Sequence, residues 1–379
     1  EVHLLCQEPA PLDYDFVDEV SAVGGGGVER LGARETPYPG RCAVYQPEIG
    51  DLLPVYVYDE YPCWRVKTFL DLTDGELAYY VEKNVAAVRA VLERSGAAAV
   101  VTNHEVPGPL IAHRALQGTG VPYLSIVHGS ALQYVARRSG KYMRLTREGL
   151  KGAEKIVALS AHSAATVAED FPDLSKKTVA LPGGVDTDLF RPDALDVESL
   201  TRLNGGPGRG PEQTRELRRF LEDRPGSPEE LAAGLRSAAA SYDARAHDRD
   251  AGARLEALLS SGSPVVVYVG KLIHSKGVHC LLSAFARARR EVGARLLVVG
   301  FGTFREALEA LVLALSDGDR PTVELLAGSG RLFEGGPAEP LEHFGFPDGL
   351  LQAAAGMAED VEFVGPLYHR ELAKLLPAA

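Results

Sequence analysis

Short apolar runs alternate with amphipathic helical patterns along much of the chain. The most informative run is VVVYV at Val265–Val269, which Gly270 ends and which an amphipathic pattern follows after Gly277. A β-branched run of this length predicts a strand that is buried on both faces, and apolar residues at helical spacing predict a helix. The sequence therefore predicts a strand, a loop and a helix in this order.

The next segment, Ala294–Leu311, repeats this format, with an apolar strand, Gly300 and Gly302, and then a helix. Two such units in tandem predict a parallel sheet. In an open parallel sheet, ligands bind where the carboxyl ends of the strands meet. We therefore expect two loops to converge at this edge: the loop after Gly270, and the loop that contains Gly300 and Gly302.

Two lysines, Lys271 and Lys276, bracket the entrance of the first of these helices. Ammonium groups beside free backbone N–H groups and the positive end of a helix dipole form an anion site that a diphosphate fits. The alternative is that both lysines are solvated side chains on a connecting loop, since lysines are common there.

Similar units occur earlier in the chain. A polar loop with Asn103, His104 and Glu105 follows one predicted strand, and His128 with Gly129 follows the next. Their position at carboxyl ends of strands favours a functional site, although a lone histidine is usually structural.

The chain begins with a predicted strand at 1–6. The glycine run 24–27 has the composition of a flexible loop rather than of a phosphate cradle.

Composition narrows the function classes. A chain of 379 residues predicts about two domains, and its 45% hydrophobic and 24% charged residues are typical of a globular protein. The net charge of −12 argues against an extended nucleic-acid surface. The four cysteines are scattered and indicate neither a zinc site nor a disulfide framework. No apolar run is long enough for a transmembrane segment and no signal peptide is recognised, so a cytoplasmic setting is expected, with peripheral membrane association left open.

The ordered motifs of the chain resemble the retaining glycosyltransferases of family 4. The matching stretches are VHG (127–129), LPGGVDTDLFRP (181–192), VGKLIHSKG (269–277), VVGFG (298–302) and VEFVGPL (361–367). The resemblance implies an α/β fold with two Rossmann-like domains (GT-B) facing each other across a cleft. It implies an acceptor-side domain at 1–190, a linker and low-complexity insertion at 191–262, and a nucleotide-sugar domain at 263–379.

The resemblance also implies transfer of a sugar from a UDP-, GDP- or ADP-sugar to a hydroxyl of a sugar, lipid or small-molecule acceptor, with retention at the anomeric carbon. The expected catalytic residues are His128, which would bind the sugar hydroxyls, and Lys271 and Lys276, which would stabilise the leaving diphosphate. The donor-binding candidates are Gly270, Lys271, Lys276, Gly300, Gly302, Gly365 and Leu367. The acceptor-side candidates are Asn103, His104 and Glu105. Neither a metal nor a cofactor is expected, because neither an Asp-x-Asp pair nor a His/Cys cluster with metal-ligand spacing is recognised.

Several expectations concern the rest of the chain. Residues 193–262 are rich in Gly, Pro, Arg, Asp and Glu and predict a partly disordered surface insertion. The segment 316–358 is interpreted as a second insertion, which either covers the mouth of the cleft or is a loop without function; the second interpretation is favoured. Compared with the family, the first strand and the C-terminal acidic signature are expected to be missing, which would make this chain an inactive fragment.

Two alternative functions stay open: a non-catalytic nucleotide-binding remnant, and a sugar-nucleotide epimerase or glycosyl phosphorylase of the same fold.

Overall fold

The computed structural model describes residues 1–57, 59, 61 and 63–379. In these residues helices alternate with mostly parallel strands, which confirms the predicted α/β class. The described chain divides into two compact units. The first comprises residues 1–57, 61 and 63–184, and the second comprises Asp59 and residues 185–379.

The strands and helices are numbered in chain order. The strands are β1 (Val2–Leu5), β2 (Glu19–Gly24), β3 (Gly27–Ala33), β4 (Cys42–Pro47), β5 (Leu52–Val55), β6 (Arg65–Thr68), β7 (Val100–Asn103), β8 (Tyr123–Val127), β9 (Lys155–Ala158), β10 (Thr178–Ala180), β11 (Val265–Val269), β12 (Arg295–Val299) and β13 (Val361–Gly365). The helices of the first unit are α1 (Asp74–Ser95), α2 (Gly108–Ala115), α3 (Ser130–Tyr134), α4 (Gly140–Gly152) and α5 (Ala161–Asp170). Those of the second unit are α6 (Val197–Thr201), α7 (Pro211–Glu222), α8 (Pro228–Ala239), α9 (Ala251–Ser260), α10 (Val278–Val292), α11 (Arg305–Asp317), α12 (Arg320–Ser329), α13 (Leu350–Ala354) and α14 (His369–Leu375).

The first unit contains two four-stranded sheets and one strand pair. One sheet has the order β1-β4-β2-β3, and the other is fully parallel with the order β10-β9-β8-β7. Strands β5 and β6 form a separate parallel pair. Because β7 and β8 run parallel and side by side, the segments that follow them begin at the same edge of their sheet.

Local sequence signals explain where several helices of the first unit begin and end. Helix α1 begins with a capping box, in which the Thr73 hydroxyl accepts from the Glu76 N–H and the Glu76 carboxylate accepts from the Thr73 N–H, and it ends at Gly96 in the left-handed conformation. Helix α5 is capped by Ser160, whose hydroxyl accepts from the Ser163 N–H. Serine is favoured at this position, because its hydroxyl oxygen can accept from a free backbone N–H in the first turn.

The second unit is built on the three-stranded parallel sheet β11-β12-β13. The central strand β12 is buried on both faces: Leu296 and Val298 belong to one hydrophobic cluster, and Leu297 and Val299 belong to the cluster on the other face. The tandem strand–loop–helix units therefore form the parallel sheet that the sequence predicts.

The prediction that Val265–Val269 is buried on both faces is wrong. Strand β11 lies at the edge of the three-stranded sheet, and its residues Val266 and Val269 are 40% and 45% exposed. A β-branched run indicates a strand, but the sheet order decides whether that strand is central.

The prediction of a partly disordered surface insertion at 193–262 is also wrong. The segment contains α6 to α9, and the side chains of Leu217 and Leu231 are buried against the α10–α11 side of the sheet. Leu200 and Leu255 are buried in the cluster on the other side. The polar composition belongs to the solvent faces of amphipathic helices, whose apolar faces complete the core of the second unit.

Two smaller predictions are corrected as well. The segment 316–358 is not a surface loop, because α12 and the residues after it place Val323, Phe333 and Met357 in the same core. The glycine run at 24–27 is not the flexible loop that its composition predicts. It forms the turn between antiparallel strands β2 and β3.

Candidate functional site

The candidate residues of the first unit meet at the carboxyl ends of β7 and β8. Asn103 is the last residue of β7, and His128 directly follows β8. Nε2 of His128 lies 2.9 Å from Oδ1 of Asn103. Since an amide oxygen only accepts hydrogen bonds, Nε2 carries the proton, and Nδ1 of a neutral His128 ring is an acceptor. The His128 side chain is exposed.

His104 is packed between two other rings. Its ring centroid lies 4.6 Å from that of His128 and 4.5 Å from that of Tyr56. The backbone of His104 is left-handed, with φ of 66°, and Nδ1 is buried without a hydrogen-bond partner in the described part of the chain. Burial, and then the neighbouring His128, lower the pKa of His104 to about 4, and burial also lowers the pKa of His128. Both rings are therefore neutral at pH 7.

Glu105 fixes the backbone turn that follows His128. Its side chain is fully buried, and Oε1 accepts a 2.6 Å hydrogen bond from the N–H of Gly129, the residue after His128. Burial raises the pKa of the Glu105 carboxyl, and the bond from Gly129 opposes this effect. Gly129 has φ of 84°, which favours glycine at this turn. Glu105 thus holds the turn that presents His128.

In the second unit, the loops after β11 and β12 run side by side. The Gly270 N–H donates to the Val299 carbonyl over 3.0 Å, and the Leu272 N–H donates to the Phe301 carbonyl over 2.7 Å. A Cβ on Gly302 would lie 2.3 Å from the Leu272 carbonyl oxygen, and one on Gly300 would lie 1.9 Å from the Gly270 carbonyl oxygen. The two glycines permit this close approach of backbone to backbone.

The lysines lie on the first of these loops. The Lys271 ammonium forms an ion pair with the buried carboxylate of Asp59. Lys276 is exposed, and within the described residues its side chain has neither a hydrogen bond nor an ion pair. It precedes Gly277, where α10 begins without a side-chain cap. Backbone N–H groups at the start of this 15-residue helix therefore lie close to Lys276 in the chain.

The third turn of this sheet edge is Gly365, at the end of β13. Its carbonyl accepts from the Gly300 N–H over 2.9 Å, so the turn is joined to the Gly300 loop. On its other side lies the buried carboxylate of Asp248, which pairs with Arg305. Leu367 is buried in the core cluster that contains α9 and α14, rather than standing free at the edge.

Sequence reasoning missed three residues near these sites. Asp59 pairs with Lys271, and the Tyr56 ring packs against the His104 ring. Glu334 is buried and accepts from the His274 N–H, three residues after Lys271. The only local signal for Glu334 is its place after the apolar pair Leu332-Phe333, since the contact joins segments that are distant in the chain.

Asp-x-Asp pairs do occur in the chain, including 186/188 and 248/250, which corrects that part of the expectation. A pair of this kind can share a cation when both carboxylates are free to bind it. Asp186 instead accepts from the backbone N–H groups of Asp188 and Leu189. Asp248 and Asp250 both pair with Arg254. Within the described residues, no group of three or more His, Cys, Asp or Glu side chains is placed to hold a metal ion.

None of the helices in the described part of the chain has the length and apolar character needed to cross a membrane.

Part of the chain is similar to a known protein family. Residues 55–189 match the model of Glycosyltransferase Family 4. The matched segment includes Asn103, His104, Glu105 and His128, and the resemblance identified from the sequence is confirmed over this segment. The motifs after residue 189 lie outside the matched segment.

Comparison with solved structures finds glycosyltransferases. A glycosyltransferase from Rickettsia africae ESF-5 is 13% identical, with 83% of this chain and 58% of that chain covered and a TM-score of 0.39. A UDP-forming α,α-trehalose-phosphate synthase from Burkholderia xenovorans, in complex with glucose-6-phosphate, is 11% identical, with 100% and 78% covered and a TM-score of 0.45. A further structure of such a synthase from the same organism is 13% identical, with 82% and 57% covered and a TM-score of 0.38. The chain thus spans less than two thirds of the length of two of these proteins. Sequence comparison with curated proteins finds no significant match.

Proposed function

We propose that this protein acts as a glycosyltransferase that moves a sugar from a nucleotide diphosphate sugar to a hydroxyl acceptor. The observation that carries the proposal is the sheet edge of the second unit, where the Lys271 loop and the glycine-bearing loop after β12 lie against each other beside the start of α10. The family 4 segment in the first unit supports the same reaction class.

The proposed roles follow from the charge that develops during transfer. When the bond between the anomeric carbon and the leaving oxygen breaks, its electron pair stays on the diphosphate. Lys271, Lys276 and the backbone N–H groups at the start of α10 would stabilise that charge without a metal ion. Lys271 is then shared between Asp59 and the diphosphate.

We assign His128 to the hydroxyl groups of the transferred sugar. Its exposed neutral ring is oriented by Asn103 and by the Glu105–Gly129 hydrogen bond, so its Nδ1 is available to accept from a hydroxyl. Asn103 and His104 are proposed to lie on the acceptor side, and Glu105 positions the turn. Retention at the anomeric carbon, a hexosyl donor and a cytoplasmic setting belong to the same proposal.

The test is a transfer assay on the full chain. UDP-, GDP- and ADP-sugars are each incubated with and without a panel of sugar, lipid and small-molecule acceptors, and both nucleotide release and product mass are measured. The proposal expects acceptor-dependent release that persists in EDTA, with the product anomer determined by NMR. Donor consumption without acceptor would instead indicate the epimerase class, and binding without turnover would indicate a non-catalytic nucleotide-binding protein.

Lysine variants test the assigned roles. Removal of one preorganised group of this kind commonly lowers the rate by about 10²–10³, so Lys271→Ala and Lys276→Ala should each lose activity in this range. Lys176→Ala is the matched control, because Lys176 is an exposed lysine of the first unit, remote in sequence from these loops. Equal losses in all three variants would remove the special role of Lys271 and Lys276.

A further inference from the structure

Glu334 is a buried acidic side chain that is joined to the lysine loop. It ends the 3₁₀ helix Gly330–Glu334, and the residue is only 5% exposed. Its Oε1 accepts a 2.6 Å hydrogen bond from the backbone N–H of His274. His274 lies between Lys271 and Lys276, so this bond holds the loop on which both lysines are carried.

The charged groups around Glu334 come from several segments. The positive charges of Lys271 and of Arg331, which lies in the same 3₁₀ helix as Glu334, lower the pKa of the Glu334 carboxyl. The negative charge of Asp59 raises it. From α8, Arg236 donates to the backbone carbonyl of Leu332 in the same 3₁₀ helix. Glu334 therefore shares its electrostatic surroundings with the ion pair of the lysine loop.

The neighbouring histidines do not compete for a proton near neutral pH. The His274 and His279 rings are stacked at 5.2 Å, and Phe304 packs edge-on against both. Burial lowers the pKa of His274 to about 4 and also lowers the pKa of His279. Burial, by contrast, raises the pKa of Glu334 to about 7.

We propose that Glu334 takes up a proton when a nucleotide diphosphate sugar binds at the Lys271 loop, so that donor binding and protonation of this carboxyl are coupled. This inference rests on the proposed function. A bound diphosphate brings negative charge to the loop and engages Lys271, which otherwise offsets the charge of a Glu334 carboxylate. Both changes favour the neutral carboxyl, which still has a carbonyl oxygen to accept from the His274 N–H. The proton comes from solvent.

The coupling has a defined sign. Below the pKa of the free protein, Glu334 is already protonated and donor affinity is constant. Above it, binding must take up a proton, and affinity falls as pH rises until the carboxyl stays ionised in the complex as well. If binding raises the pKa of Glu334 by about one unit, affinity falls about tenfold between pH 6 and pH 9.

Isothermal titration calorimetry of the full chain tests this coupling. The probes are UDP-glucose, GDP-mannose and ADP-glucose, whose diphosphates are esterified at both ends and do not titrate between pH 6 and pH 9. Titrations in buffers of different ionisation enthalpy give the number of protons taken up. The wild type should take up a fraction of a proton near pH 7 to 8 and lose affinity above it.

Glu334→Gln keeps an acceptor oxygen for His274 but cannot ionise, so both the proton uptake and the loss of affinity with pH should disappear. Asp348→Asn removes an exposed acid of the same segment and should retain both. An unchanged pH profile in Glu334→Gln would overturn the coupling while leaving the proposed function intact. Absence of proton uptake by the wild type would overturn it even if the variant fails to fold. A folded wild type that binds none of the probes at any pH would overturn the proposed function and the coupling with it.

Discussion

The backbone N–H of His274 and the carboxylate of Glu334 are joined by a 2.6 Å hydrogen bond between segments that are 60 residues apart in the chain. A carboxyl that is buried in this way has consequences for stability as well as for ligand binding.

The Glu334→Gln variant should gain stability relative to the wild type as the pH is raised. The pKa of the carboxyl is raised from an ordinary 4.5 to about 7 in the folded protein. The folded state therefore binds the proton more tightly than the unfolded state, and the wild type loses stability as pH rises from about 4.5 to 7. At about 1.4 kcal/mol per pKa unit, the free energy of unfolding of the variant relative to wild type should rise by up to about 3 kcal/mol between pH 4.5 and pH 8.

Urea unfolding at several pH values measures this difference. Asp348→Asn serves as the exposed control and should follow the wild type throughout. A constant difference between Glu334→Gln and wild type from pH 4.5 to pH 8 would show that this carboxyl does not titrate in the predicted range.

His128→Ala should reduce transfer more than tenfold and change stability little. The ring is exposed and its one described side-chain hydrogen bond is to Asn103, so its removal should alter the free energy of unfolding by about 0.5 kcal/mol or less. His162→Ala, at another exposed histidine of the first unit, is the control for activity. A large loss of stability, with activity per folded molecule intact, would favour a structural role for His128.

Gly302→Ala should weaken binding of nucleotide sugars. Gly302 has φ of 152°, and its added Cβ would lie 2.3 Å from the Leu272 carbonyl oxygen, so the loops after β11 and β12 would have to separate. We expect a loss of about 1–3 kcal/mol in unfolding free energy together with lower affinity. Gly328→Ala, whose Cβ would meet no atom within 4 Å, should leave both quantities nearly unchanged. Calorimetry measures the affinity, and urea unfolding measures the stability. If Gly302→Ala binds nucleotide sugars as tightly as the wild type, this loop does not contribute to donor binding.

Leu231→Ala should destabilise the second unit strongly, because α8 is part of its core. The Leu231 side chain is fully buried, and truncation of a buried leucine costs about 2–5 kcal/mol. Leu195→Ala, at a leucine that is 44% exposed, should cost much less. Limited proteolysis gives a second measurement, in which α7 to α9 should be protected as well as β12. Rapid cleavage within these helices in the folded protein would instead support a partly disordered surface insertion.

The sequence by itself determined the elements whose signals are local. The apolar runs of β8, β11 and β12, the cap at Ser160 and the helix end at Gly96 can be read from a few neighbouring residues, because propensity and capping act over one or two turns. It also determined that Asn103 and His128 lie at the ends of successive strands, and parallel strands that pair end at one edge of the sheet.

Only the tertiary structure decided which faces are buried and which distant groups meet. The helices of 193–262 are rich in polar residues, and their burial depends on an apolar surface that other segments supply. Strand β11 has the composition of a central strand but lies at an edge, because sheet order is set by the packing of whole units. The contacts of Glu334 with His274 and of Asp59 with Lys271 join segments that no local pattern connects. Side-chain electrostatics depend on distance in space, and the fold alone sets that distance.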